Sequence, residues 1–174
     1  METQTIHIDS GAVPRCHVCN FLDIAIGLIA GVSLMSKHKT QMAPLAATIM
    51  LGHSMELLAK AYLLIQGDVT VDQLKGWGPK NENNKVRYGH NIKNMWRAET
   101  PLFDQAEELW FREYRSHYET RDDCMEAFER IFNLAAEHHE APYSGRYGGK
   151  NRYPAHEKLA PILSEILEHI SKSH

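Results

Sequence analysis

Apolar residues along this chain recur at three- and four-residue spacing in one segment after another, and no stretch alternates with the period-two rhythm of a strand. The first such segment, residues 18–36, contains the apolar run FLDIAIGLIAGVSLM from Phe21 to Met35, whose polar members are Asp23 and Ser33. As a helix this run spans only about 22 Å against roughly 30 Å of bilayer hydrocarbon, so it reads as a buried core helix rather than a membrane span. Gly27 and Gly31 in it form a small-xxx-small pair that would let a second helix approach closely. The second segment, residues 41–66, is apolar nearly all round, as a helix at the centre of a bundle is, and Gly67 ends it as a C′ glycine would.

Residues 67–89 hold four of the eleven glycines and read as a long loop with a short turn at 71–75. A short helix is expected from His90 to about Glu99. Thr100 then caps a helix whose first residue is Pro101 and whose stripe runs Leu102, Ala106, Leu109, Trp110 and Tyr114. Thr120 and Asp123 have the spacing of a capping box and open a helix bearing Met125, Phe128, Ile131, Phe132 and Ala135 on one face. Residues 141–154, APYSGRYGGKNRYP, are a loop by composition. The last helix starts near Ala155 and carries Leu159, Ile162, Leu163, Ile166, Leu167 and Ile170. The expectation is an all-α fold of five or six helices, with an arm at residues 1–17 and one domain at 18–174 whose core lies on residues 21–35, 45–65 and 159–170.

Composition narrows this picture. A 174-residue chain of 19.9 kDa, 43% apolar and 24% charged, is large enough to bury a core without disulfides or metal. A net charge of −3 supplies no global pull toward nucleic acid or anionic membrane, so any basic site must be local. Cys16, Cys19 and Cys124 are too few for a disulfide framework, which suggests a reducing, cytoplasmic setting. The first fourteen residues contain no Lys or Arg, so a secretory leader is not expected.

Four places could carry chemistry. His53, Glu56 and Lys60 share one face of the second helix; either they form a buried ion pair that fixes packing register, or they line the wall of a site. His90 follows Gly89 at a helix start, where it either bonds backbone groups or serves as an acid or base in a cleft. The loop 141–154 interleaves Arg146, Lys150 and Arg152 with Tyr143, Tyr147 and Tyr153 ahead of a helix N-terminus. It is either a solvated loop or a phosphate and RNA site in which tyrosines stack on bases. Cys16-His-Val-Cys19 has zinc-like spacing but no second CxxC, so no metal or other cofactor is expected. His138 and His139 are expected at a helix end, where an imidazolium suits the dipole. No HExxH, Walker A or GxSxG motif occurs.

Taken together, GHSMELLAKAYLL (52–64), YGHNIKNMW (88–96) and NRYPAH (151–156) resemble the HEPN superfamily, the higher eukaryote and prokaryote nucleotide-binding domains. The matching positions are His53, Glu56, Lys60, Gly89, His90, Arg152, Tyr153 and Pro154. The resemblance implies an up-and-down helical bundle, a homodimer, and one of two roles in a bacterial defence or toxin–antitoxin type system. One is a non-catalytic module binding nucleotide, RNA or a protein partner. The other is a metal-independent endoribonuclease whose Arg and His, separated by four to six intervening residues, act pairwise across the dimer. The literal match here is Arg112 to His117, but a chain of this composition supplies about one or two such matches by chance. An i,i+5 pair also points about 140° apart on a straight helix. Arg152 and His156 are one residue short of the pattern yet lie where the family's last helix begins. Under the enzymatic reading Arg152 would hold the phosphate and His156, with His90, would transfer protons. Arg146, Lys150, Tyr147 and Tyr153 would bind the RNA. Neither a cofactor nor a membrane enters either role.

Overall fold

The computed structural model describes residues 16–37, 43–67, 69–74, 91–140 and 155–173. Among them the chain is all-α, with no strand. Helix α1 (His17–Met35) leads to α2 (Ala43–Gln66), the short α3 (Val71–Leu74) and the short α4 (Ile92–Asn94). Helices α5 (Leu102–Tyr114), α6 (Arg121–Glu140) and α7 (His156–Lys172) complete the order. Helix α2 lies in the middle: it packs on α1, α6, α7 and the α4 segment, while α5 packs on α6 and α7.

Local chemistry sets most of the boundaries. The expected capping box forms at α6: the Thr120 hydroxyl oxygen accepts from the Asp123 amide at 3.1 Å, and Asp123 accepts from the Thr120 amide at 3.3 Å. Asn91 caps α4 by accepting from the Asn94 amide at 2.8 Å. The expected helix over 90–99 is not uniform, because Met95–Glu99 widen into a π turn. Thr100 closes that turn by donating to the Met95 carbonyl at 2.9 Å, and its oxygen also accepts from the Leu102 amide at 3.4 Å. Gly67 ends α2 with a φ of 78°, the left-handed conformation that favours glycine.

The core has two halves. One is aliphatic, built by Leu22, Ala25, Ile29 and Val32 of α1, Leu51, Met55, Leu58 and Ala59 of α2, and Leu163 and Ile166 of α7. The other is aromatic and falls outside the core expected from apolar density. Trp96, Phe103, Phe128 and Phe132 meet with ring centroids 4.9–6.1 Å apart, and Trp110 joins them against Phe128 at 5.8 Å. Both buried indoles find acceptors: Trp96 donates to the Met55 carbonyl at 2.9 Å and Trp110 to the Cys124 carbonyl at 3.1 Å.

Helix α1 departs from the expected buried core helix. Val18, Leu22, Ala25, Ile29 and Val32 form its single buried stripe, and Ile24, Ile26 and Leu34 stand 53%, 50% and 60% exposed on the outside. Its apolar residues go round the helix, but the bundle covers only one side.

Candidate functional site

The polar line expected on α2 is present, and it is buried. Glu56 and Lys60, one helical turn apart, lie inside the bundle and are ion-paired through Glu56 Oε1. The second carboxylate oxygen, Oε2, accepts from His139 Nε2 at 2.5 Å. His139 comes from the last turn of α6, so the carboxylate ties two helices together and has a different partner on each oxygen. His53, one turn before Glu56 and half-buried, sets its ring edge-on to His139 with centroids 4.7 Å apart. Of these groups, His53 brings the cluster closest to solvent.

This close approach depends on Gly52. A Cβ at that position would stand 2.7 Å from the His139 Cβ and 3.0 Å from its ring. Only a residue without a side chain lets α6 deliver its imidazole so near α2. The other polar residues buried along α2 satisfy themselves: Thr48 and Ser54 hydroxyls donate back to the Pro44 and Met50 carbonyls at 2.7 and 2.6 Å.

His139 is the member of this cluster that the sequence does not reveal. It was expected at a helix end with its charge on the dipole, and it does end α6, but its ring turns inward to a carboxylate 83 residues away in sequence. The usable signal was on α2: a carboxylate in an apolar helix needs more than one lysine to satisfy four lone-pair sites.

The remaining candidates divide. His156 is the first residue of α7, half-buried, with its Nε2 3.9 Å from the exposed Glu157. Its proposed companions Arg152 and His90, and the RNA-binding set Arg146, Lys150, Tyr147 and Tyr153, lie outside the described residues. Arg112 bridges α5 to α7 through Glu165 at 2.5 Å, and the pair holds the Glu165 carboxyl below the usual carboxylate range. Five residues on, His117 is exposed in a 3-10 turn beside the Tyr114 ring, so the literal Arg–His spacing falls on a structural cross-link. Cys16 and Cys19 form a disulfide at the start of α1, where Cys16 Sγ also accepts from the Cys19 amide at 3.1 Å. Cys124 is buried in α6, and burial pushes its thiol up. The three cysteines therefore do not gather into a ligand set.

A shallow groove of about 570 Å³ runs between α1 and α7, lined by Ser33, Pro161, Ser164, Glu165, Glu168, His169 and Lys172. It includes none of the buried cluster. The chain matches no family model, no curated protein and no solved structure.

Proposed function

We propose that this chain is a HEPN-like helical interaction module that works as a homodimer and binds nucleotide, RNA or a protein partner without catalysing a reaction. The observation that carries the reading is the outer side of α1, where Ile24 and Leu34 are exposed on one strip and Ile26 is exposed on its flank. Gly27 lies at helical spacing between Ile24 and Leu34, and a Cβ there would meet nothing within 4 Å. An apolar strip with a glycine gap is the surface onto which a second helix packs closely.

The occupant favoured is a second copy. Helices α1 and α2 are long and apolar enough to cross a membrane by length and composition. Yet α1 is a wall of the bundle, packed on α2 and α7, and its outer side also exposes Asp23 and Ser33. An exposed carboxylate suits the rim of a protein interface and is expensive in hydrocarbon.

Sedimentation or light scattering over a concentration series tests the reading. Twice the 19.9 kDa chain mass is expected for the wild type, and a single chain mass for Ile24→Glu/Leu34→Glu with helicity unchanged. A concentration-independent 20 kDa species in the wild type would refute it. Fluorescence anisotropy with labelled RNA and nucleotides at low salt tests the binding role. Cleavage of RNA in EDTA would replace the module by the metal-independent nuclease built on Arg152, His156 and His90.

A further inference from the structure

The buried cluster has a chemistry that the interaction role does not use. One donor atom each from His53, Glu56 and His139 lie within 4.8 Å of one another. His53 and Glu56 are i and i+3 on α2, so one helix face presents both, and α6 brings the third. We propose that these three side chains form a binding site for a divalent first-row transition metal, in the two-histidine, one-carboxylate class.

Three features support it. The donor set is right: two imidazoles and one carboxylate suit zinc, iron or cobalt, whereas calcium and magnesium want oxygen alone. The support behind the donors is right as well. Lys60 holds Glu56 Oε1, which leaves Oε2 as the oxygen aimed at His139, and a hydrogen-bonded outer partner of this kind orients a ligating carboxylate. Gly52 fixes the third donor, since its missing side chain is the space the His139 ring occupies. Access is also available, because Glu56 and His139 are sealed in the bundle while His53 is half-buried and gives an ion a route in from solvent.

An arriving cation would take the place of the hydrogen between His139 Nε2 and Glu56 Oε2; a neutral imidazole that ligates through Nε2 keeps its one proton on Nδ1, and no redox change is involved. The positive Lys60 beside the carboxylate tempers the affinity. With three protein donors, further coordination positions stay open to water or to an oxygen of a bound partner.

The test uses the full chain, stripped with chelator and dialysed. Cobalt(II) alone is titrated in and followed by visible absorption, with zinc(II) added as competitor and melting midpoints recorded. The expected result is a d–d band saturating near one equivalent, its loss on adding zinc, and a raised midpoint with either ion. His53→Gln and His139→Gln should each weaken binding by about tenfold or more while circular dichroism stays helical. Cys16→Ser/Cys19→Ser should leave the band intact. Absence of any cobalt band or zinc-induced shift in the wild type overturns the proposal, and so does a band that survives both histidine changes or disappears with the cysteines. If the histidine variants fail to fold, the wild-type and cysteine-variant titrations still decide. Oligomeric mass is read separately, so failure here leaves the dimer untouched.

Discussion

Helices α1 and α2 follow one another in the chain and are both apolar enough to cross a bilayer by length and composition, yet the fold treats them in opposite ways. The apolar window of α2 is 61% buried and that of α1 only 28%. The more hidden helix is the one that carries His53, Glu56 and Lys60. The helix with hardly any charge leaves Ile24, Ile26 and Leu34 in the open. Average hydrophobicity therefore does not rank these helices by depth. What separates them is the number of neighbours: α2 has partners on several sides, and its buried Thr48, Ser54, Glu56 and Lys60 are matched to its own backbone, to each other or to His139 on α6. In α2 the buried charges are held by partners on that helix and on α6. In α1 apolar surface is left exposed.

Substitutions can break the comparison, and on α2 the largest effect is expected at the buried carboxylate. Glu56→Ala strands both Lys60 and His139 in a dry interior, so it should cost about 3 kcal/mol or more and lower the melting midpoint by roughly 10 °C. An unchanged midpoint would mean that the cluster is solvated. Gly52→Ala pushes a methyl into His139 and should cost about 1–3 kcal/mol, read from chemical denaturation. A cost near zero would show that α6 can swing away without loss.

On α1 the two faces should respond differently. Val32→Asp puts a charge at a fully covered position and should unfold the domain or come close to it. Ile24→Asp, by contrast, should leave the unfolding free energy of the monomer within about 0.5 kcal/mol while abolishing self-association. Equal damage from both changes would mean that α1 is covered within the monomer.

Binding should respond outside both helices. Arg146→Ala/Arg152→Ala should abolish RNA or nucleotide binding with the midpoint held, and the wild-type affinity should fall with added salt. The smallest effect is reserved for Arg112→Ala. Its partner Glu165 has a carboxyl pKa below the ordinary range, so the pair's contribution is present at neutral pH and is lost as pH falls through that depressed value. Both side chains are well exposed, and the midpoint should move by about 2 °C or less, vanishing in high salt.

How much was legible beforehand follows the same division. Three-four spacing exposed the helices, and Thr120 with Asp123 marked the start of α6 correctly, because caps and stripes are local. The shared face of His53, Glu56 and Lys60 was legible for the same reason. His139 was not, since its role depends on α6 crossing α2 at Gly52, a long-range event that no spacing in the chain encodes. Nor was the single-sided burial of α1, because apolar periodicity says how much surface wants cover and not whether this chain supplies it. The aromatic half of the core was underrated because Trp96, Phe103, Phe128 and Phe132 lie in segments diluted by charge, where apolar density is low and packing is high.

The hydrogen bond from the Trp96 indole to the Met55 carbonyl turns this tryptophan into an optical gauge of α2. Trp96 and Trp110 are two of the three tryptophans in the chain, and both are fully buried, so much of the native emission should be blue-shifted. Met55 immediately precedes Glu56, which places the indole contact one residue from the buried carboxylate. Paramagnetic cobalt(II) held at that carboxylate would drain the excited state of Trp96, and zinc(II), with its filled d shell, would not. A Trp110→Phe variant would give Trp96 more weight in the spectrum, and the difference in brightness between the two ions would then report an event buried inside the bundle.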